Sequence, residues 1–173
     1  MKSTGIVRRI DELGRIVIPK GIRNRLRINE GDRLEIAISE TGKIEIQKYN
    51  AFVGNYDMIT NIVFTLAKEL HHPAIIICDG KILTKSDNVP DEIHEGIPIE
   101  KNINDRLYER KNFSLTDETI LPYGEHHSFS VFPIAYNSEI LGGLLILHEN
   151  PLNEDNIKMI QAFRNLLTMI LKV

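Results

Sequence analysis

The chain has 173 residues, 42% of them hydrophobic and 26% charged, with a formal net charge of −3; this fits one or two folded domains and excludes a disordered chain. Cys78 is the only cysteine, which excludes an intrachain disulfide and a Cys-x-x-Cys zinc or redox site. No stretch approaches the roughly 18 apolar residues of a membrane span, and no apolar run of signal-peptide length follows Met1, so a cytoplasmic protein is expected.

Charge is spread unevenly. Residues 1–50 hold eleven Lys/Arg against seven Asp/Glu, and residues 51–173 hold ten against seventeen. The first 27 residues sharpen the bias, with Lys2, Arg8, Arg9, Arg15, Lys20, Arg23, Arg25 and Arg27 against only Asp11 and Glu12. A basic head joined to an acidic tail predicts a polyanion as partner of the head.

In chain order, Gly5–Ile10 predicts a strand, Asp11-Glu12-Leu13-Gly14 a turn, and Arg15–Ile18 a second strand stopped by Pro19. Pro19 suits the first position of a short helix whose apolar face is Ile22 and Leu26, with Arg23, Arg25 and Arg27 off that face. Leu34, Ile36 and Ile38, then Ile44 and Ile46, alternate with polar residues across a Glu40-Thr41-Gly42 turn, the pattern of a hairpin with one wet face. Four short strands and two helical turns bury too little apolar surface to offset their ordering entropy without a metal or disulfide, so a second chain is expected to complete the core.

These residues resemble the AbrB family, in Lys2-Ser-Thr-Gly-Ile-Val-Arg-Arg, Asp11-Glu-Leu-Gly-Arg-Ile-Val-Ile-Pro19 and Glu30-Gly-Asp-Arg-Leu-Glu-Ile36. The resemblance implies a swapped-hairpin dimeric β-barrel with short helices, binding double-stranded DNA as a nucleoid-associated transcriptional regulator. Arginine suits that task because its planar fork takes two phosphate oxygens, or guanine O6 and N7, at once. Arg8, Arg9, Arg15 and Arg23 match the family's DNA-contacting positions, and Lys20 and Arg25 supply charge nearby. Asn24 stands where the family often has a second arginine, so a different target sequence is expected.

From about Phe52 the pattern changes. Asn55 or Asp57 caps a helix carrying Ile59, Val63, Leu66 and Leu70, which ends at His71-His72-Pro73. A buried strand Ala74–Cys78, an Asp79-Gly80 turn and a strand Lys81–Thr84 follow, then a helical segment over about Ile99–Arg110. Ser128–Tyr136 and Ile140–Leu147 form a hairpin around Asn137-Ser138-Glu139, with Gly142-Gly143 marking a bulge or a close backbone approach. A last helix spans about Asn153–Lys172. Lys85–Glu100, with Pro90, Gly96 and Pro98, is either a pocket-covering loop or a plain connection.

This order resembles a GAF domain, an antiparallel sheet with flanking helices that often senses a small molecule. The expected fold is therefore α+β in two domains, a swapped-hairpin DNA-binding domain at 1–50 and a GAF-like sensor and oligomerisation domain at 54–173. Ile59, Val63, Leu66 and Leu70, with Met159, Phe163, Leu166 and Ile170, share a 4-3-4 spacing. Such stripes either dock each helix on its own sheet or join subunits, and a tetramer through these helices is the expectation. The pairing of an AbrB-like head with a GAF-like tail resembles regulators of gene expression in developing bacterial spores, acting as activator and repressor. No cofactor, metal or enzyme activity is expected: His71, His72, His126, His127 and His148 lack zinc-ligand spacing, and no phosphate loop or nucleophile elbow appears. The alternative is an AbrB/MazE-fold antitoxin, which binds operator DNA and neutralises a toxin through an extended acidic tail. No small-molecule ligand is named by the residues.

Overall fold

The computed structural model describes residues 5–26, 28, 30, 32–137 and 139–172. Lys2 and Arg27 of the basic set, Gly31 of the AbrB-like run and Ser138 of the second hairpin turn lie outside the described residues. The chain divides into two compact units, Met1–Tyr49 and Asn50–Val173.

In the head, the Asp11–Gly14 turn forms as expected. Asp11 N–H donates to Arg15 O at 3.0 Å, Gly14 N–H donates to Asp11 O at 2.9 Å, and Gly14 takes φ +75°. The flanking segments expected as strands, Gly5–Ile10 and Arg15–Ile18, are not strands. A strand exists through its ladder, and one chain offers these segments none beyond the turn. Helix α1 (Lys20–Arg25) starts after Pro19, which sits at its N-cap in extended conformation (ψ 143°) rather than inside the first turn. Strands β1 (Leu34–Ile38) and β2 (Ile44–Lys48) pair antiparallel from Leu34↔Lys48 to Ile38↔Ile44. Gly42, at φ +75°, closes their turn. The described residues of one chain hold this two-stranded sheet, and no closed barrel.

The tail is built on a five-stranded antiparallel sheet of order β4-β3-β7-β6-β5. Its strands are β3 (Ala74–Cys78), β4 (Lys81–Lys85), β5 (Phe113–Thr119), β6 (His126–Tyr136) and β7 (Glu139–Leu147). Asp79 and Gly80, both at positive φ, make the β3–β4 turn, the backbone that a two-residue hairpin loop requires. Helices α2 (Tyr56–Leu70) and α4 (Glu154–Leu171) pack together on the sheet, while α3 (Lys101–Leu107) packs on β6 and β7.

Alternation along the strands feeds a core on each face. On the α3 side, Ile75, Ile77, Phe129, Val131, Leu145 and Leu147 meet Ile103 and Leu107. The segment after β4 adds Val89, Ile93 and Ile99 to the same core, so most of this connection is a plug rather than a lid. Both adjacent glycines are close approaches. A Cβ on Gly142 would lie 2.4 Å from Ile77 O and 3.0 Å from the Phe52 ring, and one on Gly143 would lie 2.6 Å from Leu107.

The helix ends follow local chemistry. Asn153 caps α4 in a reciprocal capping box with Asn156. Asn55 is the N-cap of α2 by position but makes no side-chain cap bond, donating instead to Ala51 O at 3.0 Å. His71 ends α2 in the left-handed region, at φ 56°. Cys78 is buried in β3, as its aliphatic neighbours imply.

Candidate nucleic-acid interface

The head turns both its charge and its apolar side chains outward. Arg8, Arg9, Arg15, Lys20 and Arg25 are exposed. Arg15 projects from the Asp11 turn with its side chain 71% exposed. Its Nε donates to Asp11 Oδ2 at 2.8 Å and its backbone N–H to Asp11 Oδ1 at 2.8 Å. Leu13 N–H adds a third bond to that carboxylate, at 3.0 Å. The hydrogen bonds from the Arg15 backbone and side chain hold the Asp11 carboxyl below its ordinary range.

Arg23 departs from the expectation that it stands clear of the apolar face of α1. It is half-buried, and its Nε is enclosed without a hydrogen-bond partner. At 3.6 residues per turn, position 23 lies about 100° from Ile22 and about 60° from Leu26, on the flank of that stripe. Asn24 is exposed on the same helix. An apolar cleft of about 240 Å³ lies beside these groups, lined by Arg8, Ile16, Val17, Ile22 and Leu26 among others.

Exposed beside the cations are Ile6, Val7, Ile10, Leu13, Ile16, Val17, Leu26, Ile36, Ile38 and Ile44, with Val7 at 85% and Ile38 at 78%. Among the described residues of the head, Ile28 is the one buried hydrophobic residue. Patches of this extent mark a surface made to be covered.

The two stripes expected as subunit seams behave differently. Ile59, Val63, Leu66 and Leu70 are buried in their own chain at 0–4% exposure, so they dock α2 on the sheet. On α4 the docking residues are Ile160, Leu167 and Leu171. The Met159, Phe163, Leu166 and Ile170 stripe runs along its flank, half-buried except for Leu166, which is 43% exposed.

The five histidines dismissed as zinc ligands are brought around one cavity of the tail, a gathering that depends on strand register and leaves no spacing signal. Among the described residues no three His, Cys, Asp or Glu side chains are placed to hold a metal ion, and no helix is long and apolar enough to cross a membrane.

Comparison with known proteins agrees with both units. Residues 7–52 match the family described as antidote-toxin recognition MazE, bacterial antitoxin. The transition state regulatory protein AbrB of Bacillus subtilis is 36% identical over 95 residues, 55% of this chain and 88% of that protein. Stage V sporulation protein T of Bacillus subtilis is 33% identical over 155 residues, 87% of this chain and 86% of that protein. The chain belongs to the AbrB family of transcription regulators. It joins the DNA-binding N-domain of that family to a second domain of GAF type. The GAF domain of a two-component sensor histidine kinase from Bacillus halodurans shares that fold at a TM-score of 0.55 and 15% identity, over 66% of this chain and 92% of that one. The AbrB-family relatives are regulators rather than enzymes.

Proposed function

We propose that two heads exchange hairpins to close one barrel, which grips duplex DNA through Arg8, Arg9, Arg15, Lys20, Arg23 and Arg25 and controls sporulation genes in the cytoplasm as activator or repressor. The observation that carries this is the coincidence, in one head, of exposed cations with ten exposed large hydrophobics. The apolar set calls for a second copy, and a second copy doubles the cations on one compact unit. A head of residues 1–50 and a tail of residues 54–173 are the working domains of this reading. The tail is proposed to pair dimers into tetramers through the open flank of α4, with Leu166 and Met169, and to sense a small molecule.

The folded sheet core of the tail favours this reading over an antitoxin arm, which would be extended until it met its toxin. Affinity for duplex DNA measured against salt tests it. The log–log slope is expected near −5 or steeper, about 0.9 for each phosphate neutralised. Arg15→Ala is expected to weaken binding about tenfold while leaving the dimer folded. A flat salt dependence overturns the proposal.

A further inference from the structure

Where β3 and β6 begin and β7 ends, the tail opens into a cavity of about 500 Å³. Five imidazoles reach it from three elements: His71 and His72 at the end of α2, His126 and His127 at the start of β6, and His148 just past β7. Two backbone bonds hold these strand ends together, Leu147 N–H to Pro73 O and His148 N–H to Ser128 O, each at 2.9 Å.

The imidazoles are not equivalent. His127 Nε2 lies 3.1 Å from Glu92 Oε1. His126 Nδ1 lies 2.8 Å from Asp117 O and 3.4 Å from the Asp117 carboxylate. Both are thus committed to carboxylates of their own. His71, His72 and His148 have no carboxylate partner among the described residues. His148 Nε2 meets Ser130 Oγ at 2.9 Å, and Ser130 Oγ meets Ser114 Oγ at 2.7 Å. The other ring nitrogen of His148, Nδ1, is buried without a hydrogen-bond partner.

We propose that this cavity binds a small organic carboxylate, held chiefly by His72 and His148. It deepens the sensing role proposed for the tail and rests on that reading. The volume lies in the range of metabolite pockets, about 300–1,000 Å³. Asn88, Ser128 and Asn150 add neutral hydrogen-bonding groups to the wall, and Glu149 is its one acidic side chain among the described residues. Among the described residues the wall has no Lys or Arg and no helix N-terminus. Those are the usual features of a phosphate site, and their absence from the lining favours a carboxylate group, with two acceptor oxygens, over a phosphate group with more.

The unpartnered nitrogen is the group with most to gain from a ligand, since a buried polar atom without a partner is costly. Burial first, and the neighbouring His72 second, hold the His148 imidazole below its ordinary value, which favours its neutral form. An anion beside the His148 ring favours its charged form and raises that value, so binding takes up a proton. Affinity therefore rises as pH falls through the interval between the lowered free value and the raised bound one. The groups around this pair in the cavity wall are His71 just past α2, His126 and His127 at the start of β6, and Glu149 after β7, with Ser130 bonded to His148 and Glu92 to His127.

The test is thermal unfolding and isothermal titration of the full chain with citrate and with succinate, at pH 6 and pH 8. Inorganic phosphate and zinc serve as separate arms. At ten times the dissociation constant the midpoint is expected to rise by about 4 °C. The effect is expected to be larger at pH 6, with a binding heat that varies with the buffer's ionisation enthalpy. His72→Gln and His148→Gln are each expected to weaken carboxylate binding about tenfold. His72→Gln removes no internal hydrogen bond shown for that ring, so it stays informative if His148→Gln unfolds. No response to either carboxylate, a response untouched by His72→Gln, or one matched by phosphate or zinc overturns the assignment. DNA affinity measured on the same samples separates this site from the head, because loss of one leaves the other readable.

Discussion

The two units treat the same kind of residue in opposite ways. In the tail, aliphatic runs such as Ala74–Cys78 and Leu144–Leu147 vanish into a core fed from both faces of a five-stranded sheet. In the head, residues of equal hydrophobicity, Ile36, Ile38 and Ile44 among them, stand in solvent on a two-stranded ribbon. A two-stranded ribbon is marginal alone, whereas a larger sheet with helices on both faces supports itself. The difference teaches that the tail buries its own core while the head leaves its apolar side chains uncovered, which is what the proposed exchange of hairpins would put right.

The largest effect that would break this contrast lies in the tail. Phe52 is 1% exposed and its ring lies 3.0 Å from where a Cβ on Gly142 would sit. Phe52→Ala is expected to destabilise the tail by about 3–5 kcal/mol, through lost transfer energy and the cavity left behind. Urea unfolding followed by circular dichroism checks this, and the loss should be the same at every protein concentration. A smaller and more discriminating effect is expected at Ile38, 78% exposed in one chain. A residue that stays in solvent costs less than about 0.5 kcal/mol when truncated. If a second head covers it, Ile38→Ala costs about 2 kcal/mol or more, and the head's unfolding midpoint rises with protein concentration. A concentration-independent midpoint with no loss would restore the head as a free-standing unit.

Legibility in the sequence divides along the same line. The last helix could be read from its stripe and from Asn153 at its start, because both signals are local and the capping box confirms them. The β3–β4 hairpin was equally plain, since Asp79-Gly80 is chemistry that a two-residue turn demands. Strand β5 is not legible in the sequence. Thr116, Asp117 and Glu118 interrupt its alternation, and its register with β6 shifts between Leu115 and Glu118, so only the neighbouring strand makes it a strand. The head segments Gly5–Ile10 and Arg15–Ile18 show the reverse. Their β propensity is real, yet propensity needs a partner before it becomes a ladder. For the candidate site, side-chain type pointed to the arginines, but burial was not legible: Arg23 lies partly enclosed, and Asp11 emerges as the residue that holds Arg15.

That Asp11–Arg15 pair gives the smallest expected effect and the finest probe of the head. The carboxylate is exposed and accepts from Leu13 N–H, Arg15 N–H and Arg15 Nε. Its pKa lies below the ordinary value, so it contributes stability that is complete above the unfolded carboxylate range and is lost as pH falls through the lowered folded value. At neutral pH this carboxylate is charged and pairs with Arg15 within the chain. Asp11→Asn keeps an oxygen able to accept from the two backbone N–H groups while removing the charge that competes with phosphate. It is expected to tighten DNA binding by about two- to fivefold at low salt, the scale of an exposed ion pair, and to abolish the acid-side loss of turn stability. Fluorescence anisotropy on labelled duplex reads the first, and carboxyl chemical shifts against pH read the second. Weaker binding by Asp11→Asn would mean that the carboxylate aims the guanidinium rather than competes for it, and the head would then be preorganised for DNA before its partner arrives.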